Sequence, residues 1–258
     1  YKLFLLSFLF IVFGVFSQTN KYRLNNLSTI NGLSQSSVIA IHQDEIGQIW
    51  FGTRDGLNKY DGNRFTVFRN NPKDSTSISN NDILSIQKDK SGNLWIGTYN
   101  GLNCYNPVKN TFKQYFHANN DKSLCNNTVW DIKEIKNEIW IGTSSGLSIY
   151  NKTTKKFTSL FHSSSNRFSL PNNFVLSILE TKSGVIWIGT AKGLCKLISR
   201  KNGVFLFQKI DNQGNNDGLF VQNIKEDATG NLWIGTKTNG IYKYETVSKK
   251  LISLLENG

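Results

Sequence analysis

The stretch LWIGTYNGLNCY, residues 94–105, decides the fold because close copies of it recur four more times along the chain. The copies begin at Ile49, Ile139, Ile186 and Leu232 and read IWFGTRDGLNKY, IWIGTSSGLSIY, IWIGTAKGLCKL and LWIGTKTNGIYKY. Their tryptophans are spaced 45, 45, 47 and 46 residues apart. A period of about 40–50 residues in β-type sequence is typical of a β-propeller in which each repeat is one four-stranded blade. We therefore predict an all-β fold of five four-stranded antiparallel blades.

Each repeat divides into four predicted strands. The innermost strand carries Val or Ile followed three residues later by Ile, the second strand is the WIGT phrase, and the outer two are rich in aromatic residues. Side chains alternate between the faces of a strand, so Trp95 and Gly97 share one face and the glycine leaves room for an aromatic ring. The same structural role is assigned to all five tryptophan–glycine pairs: Trp50 and Gly52, Trp95 and Gly97, Trp140 and Gly142, Trp187 and Gly189, Trp233 and Gly235.

The repeats form one unit, residues 18–258. Its blades are predicted at about 36–70, 81–117, 127–162, 173–208 and 219–256. An extra strand-like segment at 21–28 precedes blade 1. Blade 5 already owns four strands, so this segment cannot close the ring onto it, and the sequence predicts an incomplete ring. The five tryptophans are predicted to be mostly buried between neighbouring blades, and the two ends of the incomplete ring are expected to leave bare apolar faces, near Trp50 of blade 1 and near Trp233 of blade 5.

The first residues predict a signal-peptide helix over residues 1–17. Lys2 is followed by a predominantly apolar stretch from Leu3 to Phe16 and then by Ser17. This stretch is short for a membrane span but suits the core of a secretory signal. We therefore expect export, with cleavage between Ser17 and Gln18, and an uncleaved membrane anchor is the alternative.

Charge and cysteine content narrow the function classes further. Lys and Arg number 30 against 18 Asp and Glu, a formal charge of +12, but the basic residues are scattered. The densest runs, Lys152–Lys156 and Lys249–Lys250, are interpreted as solvated edges that limit aggregation, with anionic glycan binding as the alternative. Three cysteines without a CxxC pair are interpreted as fillers, with Cys104 and Cys195 on opposite faces. No metal site, cofactor or nucleic-acid partner is predicted.

The chain resembles the two-component regulator propeller repeat, whose pattern is V-x-x-I-x-x-D, then G-x-L-W-I-G-T, then G-L-x-x-Y. Residues 38–44, 47–53 and 56–60 match this pattern, as do residues 83–89, 92–98 and 101–105. Blade 3 lacks the glycine of the first turn, blade 4 has Leu197 for Tyr, and blade 5 has an extra residue before Gly240.

This resemblance implies a seven-bladed ring in the periplasmic sensor region of a hybrid two-component histidine kinase. The expected ligand is an oligosaccharide or another periplasmic molecule. The expected partners are the remaining blades and the kinase domains of a longer, membrane-anchored receptor that acts as a dimer. No phospho-accepting histidine in a helix and no glycine-rich nucleotide loop is found in the sequence, so no enzymatic activity is predicted for this chain.

The candidate ligand site lies on the loops of one face of the ring, because blade interiors are filled. Amides, an aromatic ring and charges suit sugar hydroxyls and acidic sugars. The asparagines serve equally well as turn formers. The candidate residues are Arg54, Asp55, Tyr99, Asn100, Lys192, Asn80, Asn81, Asn126, Asn127, Asn172 and Asn173.

Two other function classes stay open at this point. A propeller enzyme of the lyase or lactonase kind would need acids or histidines converging at the central mouth, where Asp131 is the one acid predicted to point inward. A protein-interaction scaffold would need only blade packing and an exposed face.

Overall fold

The computed structural model describes residues 25–120, 122–210 and 218–254, and within them the fold is all-β. Besides the strands, these residues include a 3-10 helix at Thr29–Asn31. The signal peptide predicted at 1–17 lies outside the described residues. The extra strand is predicted at 21–28. Residues 25–28 are not in a strand, and residues 21–24 lie outside the described residues.

Five sheets of four antiparallel strands follow one another along the chain, and each sheet keeps its strands in sequence order from the inside outward. The innermost strands are β1 Val38–Gln43, β5 Ile83–Lys88, β9 Val129–Ile135, β13 Val175–Glu180 and β17 Val221–Glu226. The second strands are β2 Ile49–Thr53, β6 Leu94–Thr98, β10 Glu138–Thr143, β14 Ile186–Thr190 and β18 Leu232–Thr236.

The outer halves of the blades complete the sheets. The third strands are β3 Gly56–Tyr60, β7 Gly101–Asn106, β11 Gly146–Asn151, β15 Gly193–Lys201 and β19 Ile241–Glu245. The outermost strands are β4 Phe65–Phe68, β8 Thr111–Tyr115, β12 Phe157–Leu160, β16 Val204–Lys209 and β20 Lys250–Ser253. The innermost strands of successive blades pack against one another. The predicted all-β fold of five four-stranded antiparallel sheets, with the predicted strand order, is therefore confirmed.

The hairpin between the two inner strands needs a left-handed residue in each blade. Gly92 adopts φ +85° at this turn in blade 2. Blade 3, which has one residue fewer, places Lys136 there with φ 55°. Lysine tolerates this conformation less well than glycine, so the shorter turn is a locally strained variant of the same hairpin.

In blades 1 to 4, the repeated tryptophan joins its blade to the next. Trp95 of blade 2 packs on Tyr150 of blade 3 with ring centroids 5.5 Å apart. Trp140 packs instead on Phe205, at 6.1 Å, because blade 4 carries Leu197 where the other blades have tyrosine. The glycine two residues on makes this approach possible: a Cβ on Gly97 would lie 2.6 Å from Val129 Cγ1 of blade 3.

Four of the five tryptophans are buried by this packing, as predicted, and the fifth lies on the face of blade 5 that was expected to be bare. Trp233 of blade 5 is 41% exposed, and no atom lies within 4 Å of a Cβ built on Gly235. At the other end, Trp50 is 4% exposed, which corrects the expectation that blade 1 is bare near Trp50. The uncovered surface of blade 1 is the opposite face, where Ile41 is 65% exposed. The packing between blades is therefore directional: the tryptophan of each blade lies on the face that points toward the next blade along the chain.

One of the basic runs is not a simple solvated edge. Lys152 donates to Glu134 Oε1 at 2.6 Å in its own blade and reaches Asp89 Oδ2 of blade 2 at 3.5 Å. Its side chain is largely buried, whereas Lys155 and Lys156 are exposed. Lys152 therefore links two blades, and the edge interpretation is wrong for this residue.

The cysteines follow the expected alternation. Cys195 is fully buried opposite Ile188, whereas Cys104 pairs with Trp95 on the other face of its sheet and is partly exposed. Burial raises the pKa of both thiols. Neutral thiols of this kind are packing groups rather than nucleophiles or metal ligands.

Candidate functional site

Two sets of loops meet on one face of the blades, as the strand order requires. The turn between the second and third strands bonds to the loop that enters the innermost strand: Tyr99 donates its backbone N–H to the Asp82 carbonyl at 3.0 Å. The same turn reaches the following blade, because the Gly101 N–H bonds the Asn127 carbonyl at 2.7 Å. This face, with its loops tied across blades, is a rigid frame for a binding site.

A β-bulge lies at the start of every innermost strand on this face. The pairing shifts register after the first residue of the strand, between Val129 and Asp131 in blade 3, so that Trp130 is left out of the ladder. Bulges re-aim side chains and are frequent beside binding sites. In blade 3 the re-aimed side chain is the sixth tryptophan of the sequence, which belongs to none of the five repeated phrases.

Four aromatic side chains form a continuous arc around this face. Tyr99 meets Trp130 edge to face at 6.1 Å, Trp130 meets Phe174 at 5.5 Å, and Phe174 meets Phe220 at 5.9 Å. Lys237 places its ammonium 5.1 Å from the Phe220 ring centroid. We call Tyr99, Trp130, Phe174 and Phe220 the aromatic arc.

The aromatic arc is held in place and remains accessible. The Trp130 indole N–H donates to Ser144 Oγ at 2.9 Å, which fixes the ring. Tyr99 is 53% exposed, and the other three side chains are partly exposed. Rings fixed in this way offer flat apolar surface at little entropic cost on binding.

The six predicted asparagines use their carbonyl oxygens to build the loops. The first of each pair closes a turn on itself, as Asn126 Oδ1 accepts from the Thr128 N–H at 2.9 Å. The second accepts from the segment that leaves the outermost strand, as Asn127 Oδ1 does from the His117 N–H at 2.6 Å. The corresponding acceptors elsewhere are Asn80, Asn81, Asn172 and Asn173.

Among the described residues, no hydrogen-bond acceptor is found for the side-chain NH₂ group of any of these six asparagines. All six side chains are partly exposed. The turn-forming and ligand-binding interpretations are therefore compatible, since the oxygen serves the loop and the nitrogen is left to donate outward.

The charged candidate residues differ in whether they already have an ion-pair partner. Asp55 forms a two-point ion pair with Arg69, at 2.9 and 3.2 Å, and this guanidinium holds the pKa of Asp55 below its usual value. Arg54, Asn100 and Lys192 are exposed on the same set of turns. The structure thus places Arg54 and Lys192 where they can meet a ligand, whereas Asp55 already has a partner.

An unpaired acceptor lies beside the aromatic arc. The Oδ1 atom of Asp82 is buried and has no hydrogen-bond partner among the described residues. A buried carboxylate oxygen without a donor costs free energy unless water or a ligand supplies one. Because this oxygen is fully enclosed, it offers no exposed acceptor to a ligand on the surface.

A polar cavity of about 310 Å³ opens between the innermost strands of all five blades and includes Trp130 in its wall. Asp131, the inward-pointing acid, lines it too and accepts from the N–H groups of Ile178 at 2.7 Å and Ile132 at 2.8 Å. Burial raises the pKa of Asp131 to about 6 against these hydrogen bonds. Both oxygens are thus engaged: one joins blade 3 to blade 4, and the other is bonded within blade 3.

Residues 25–120, 122–210 and 218–254 contain no group of three or more His, Cys, Asp or Glu placed to hold a metal ion. Nor does any helix there combine the length and hydropathy that crossing a membrane needs.

Sequence reasoning found Tyr99 but missed the rest of the aromatic arc. Phe174 and Phe220 occupy the position just before the innermost strand, where the other blades have Ser37, Asp82 and Thr128. An aromatic residue at an otherwise polar loop position was the available signal. The second available signal was Trp130, the tryptophan that lies outside the repeated phrases.

The comparisons with known proteins concern both the repeats and the whole chain. The family model for the two component regulator propeller matches residues 32–55, 77–100, 169–192 and 216–238. Each matched segment spans the two inner strands of a blade, in blades 1, 2, 4 and 5. Blade 3, with the shortened first turn, lies outside these segments.

The chain is 60% identical over 250 residues to the protein named histidine kinase P4 from Formosa agariphila, covering 95% of this chain and 18% of that protein. It superposes on the extracellular domain of a hybrid two component system from B. thetaiotaomicron with a TM-score of 0.75 and 30% identity, covering 89% of this chain and 31% of that one. A second such domain from the same bacterium gives a TM-score of 0.67 and 28% identity, covering 84% and 27%. The chain therefore spans less than a third of each relative.

Proposed function

We propose, on the premise that this chain carries two-component regulator propeller repeats, that it is the ligand-sensing part of a hybrid two-component histidine kinase. Its homologues include extracellular domains of hybrid two-component systems and a histidine kinase. The proposed location is the periplasmic side of the inner membrane, in a membrane-anchored receptor. The proposed partners within that receptor are further blades, the kinase domains and a second receptor copy.

The ligand proposed for the candidate site is an oligosaccharide released from a glycan. The aromatic arc carries this proposal, because fixed and exposed rings in a row match the apolar faces of successive sugar units. The free asparagine NH₂ groups supply donors for sugar hydroxyls. Lys237, Lys192 and Arg54 on the same turns favour an acidic sugar over a neutral one.

A binding function is better supported than the enzyme alternative by one positive observation. Asp131, the acid at the central mouth, accepts with one carboxylate oxygen from a backbone N–H of its own strand and with the other from a backbone N–H of the adjoining blade. A carboxylate engaged in this way is a joint between blades rather than a general base. The face that carries the aromatic arc offers contact with aromatic rings rather than proton transfer.

The direct test is calorimetric titration of the purified chain with defined neutral, uronic and sulfated oligosaccharides. Tyr99→Ala is the informative variant because the exposed ring can be removed without opening the core. We expect it to weaken binding about tenfold, or roughly 1.4 kcal/mol. Ile46→Ala, which removes another exposed apolar side chain on the hairpins of the opposite face, is the matched control and should leave affinity unchanged.

Two results would count against this function. One is the absence of binding across the whole panel at millimolar concentrations. The other is binding that Tyr99→Ala and Phe220→Ala leave intact, which would separate the ligand from the aromatic arc.

A further inference from the structure

A second cavity, of about 430 Å³, lies between blades 4 and 5 on the face opposite the aromatic arc. Its walls come from the first hairpins of both blades and from the turn that precedes β20. They include Thr181, Lys182, Trp187, Lys196, Tyr244 and Lys249. This cavity shares no residue with the candidate site.

In four blades, the repeated tryptophan donates its indole N–H to a carboxylate. Trp50, Trp95 and Trp233 donate to the aspartate that closes the preceding strand, with N···O distances of 3.2, 3.0 and 3.1 Å. Trp140 donates to Glu138 Oε2 at 3.3 Å. A carboxylate beside this N–H is therefore part of the repeat.

Trp187 of blade 4 is the exception, because no carboxylate in the described part of the chain accepts its indole N–H. Its side chain is 3% exposed, and its N–H has no hydrogen-bond acceptor among the described residues. The fully enclosed polar atoms without partners are Asp82 Oδ1 and Ser85 Oγ, so the Trp187 N–H is reached from the cavity it lines. An unpaired indole N–H in a buried ring is an open position for an acceptor.

A substitution in the hairpin explains the missing carboxylate. Thr181 stands where blades 1, 2 and 5 have Asp44, Asp89 and Asp227. Its Oγ1 accepts the Val185 N–H at 3.0 Å, which reproduces the turn bond that Asp89 Oδ1 makes with the Asn93 N–H. Threonine has no second oxygen, so the hairpin is kept while the acceptor for the indole is lost.

The same substitution leaves the cavity positively charged. Three lysines line it against one acid, Glu226, whose Oε2 already accepts the Lys182 backbone N–H at 2.8 Å. Lys196 lies over the Trp187 ring with its ammonium 5.8 Å from the centroid. The equivalent cavity between blades 1 and 2, of about 230 Å³, contains two lysines balanced by two acids, Asp44 and Glu45.

We propose that the cavity between blades 4 and 5 binds an oxyanion, such as a carboxylate or sulfate group, which takes the place of the missing aspartate. One oxygen of the anion accepts the Trp187 N–H, and the three lysines balance its charge. The group belongs either to a free inorganic ion or to an acidic sugar. This site does not depend on the aromatic arc and stands if oligosaccharide binding there fails.

The test follows the indole N–H directly. The chain is labelled with ¹⁵N-tryptophan, and its indole cross-peaks are recorded during titration with sodium sulfate, sodium glucuronate or glucose at constant ionic strength. We expect the peak that Trp187→Phe removes to shift saturably with an oxyanion and not with glucose. Saturation by glucuronate identifies the carboxylate of a sugar acid as a ligand, and saturation by sulfate alone identifies the inorganic ion.

Thr181→Asp is the decisive variant, because it restores the residue of blades 1, 2 and 5 and so is compatible with the fold. We expect it to abolish the saturable shift, and Lys196→Ala to weaken binding several-fold. Lys122→Ala, an exposed lysine away from the cavity, should bind as the unmodified chain does. The proposal is overturned if no indole peak saturates, if all peaks drift together, or if Thr181→Asp responds like the unmodified chain.

Discussion

At the scale of single residues, Asp131 shows how a position in the ring changes a side chain's chemistry. The equivalent residue in blade 4, Ser177, accepts the Ile224 N–H of the next blade at 3.2 Å. Asp131 does the same for Ile178 and also takes the Ile132 N–H of its own blade. Ser85 of blade 2 is consequently left with an unpaired hydroxyl.

Asp131 should make stability depend on pH. Burial raises its pKa to about 6, above the ordinary value of 3.8, so the folded state holds the proton more tightly than the unfolded chain. Its contribution is fully present below pH 4 and is lost as pH rises through 6. We expect a loss of about 1–2 kcal/mol between pH 4 and 7 from this residue, after allowance for its partial exposure to the channel.

The measurement is the difference in urea unfolding free energy between the chain and Asp131→Ser across pH 4–7. A difference is needed because His42, whose pKa burial lowers, titrates in the same range with the opposite sign. Asp61→Ser changes a surface aspartate and serves as the control. An Asp131→Ser chain with the same pH slope as the unmodified one would show that the carboxyl does not titrate there.

At the scale of elements, the joint between blades is a tryptophan placed over a glycine. The joint is as specific for the small residue as for the large one, because the next innermost strand occupies the space above the glycine. At Gly97, a Cβ would lie 2.3 Å from Ser85 Oγ and 2.9 Å from the Val129 carbonyl. Backbone cannot move aside as a flexible side chain can, so the contact must be relieved by separating the blades.

Gly97→Ala should therefore destabilise the chain by about 1–3 kcal/mol through overpacking. Gly235→Ala is the matched control, since this glycine occupies the equivalent position in the second strand of blade 5 and no atom lies within 4 Å of the added carbon. It should cost less than about 0.5 kcal/mol. Midpoints of urea unfolding compare the two, and equal losses would mean that the glycine serves the strand rather than the joint.

The strands and joints could be predicted from sequence because they repeat, and five copies average out local exceptions. Features that occur in a single blade could not be predicted from the sequence. Lys152 reads as one lysine of an exposed run, and its ion pairs with Glu134 and Asp89 depend on how two blades meet. Trp130 was hidden for a similar reason: a bulge, invisible in the repeat pattern, decides where its side chain points. The candidate site combines both kinds of feature.

At the scale of the whole molecule, the two ends of the array differ in kind. Blade 5 presents the forward face of the joint, with Trp233 and Ile241 41% and 51% exposed. Blade 1 presents the receiving face, where Ile41 is 65% exposed. The two faces are complementary in type, and the innermost strands pack in the order of blades 1 to 5. Further blades of the proposed receptor would fit between them.

The exposure of Trp233 gives the most direct measurement. Hydroxyl-radical footprinting would compare oxidation of Trp233 with that of buried Trp95 in this chain and in the full-length gene product. If these blades are part of a larger sensor ring, Trp233 is oxidised much faster than Trp95 in the isolated chain and as slowly as Trp95 in the full-length protein. Oxidation of Trp233 at the same fast rate in both would contradict the larger ring and, with it, the assignment of this chain to a receptor's sensor.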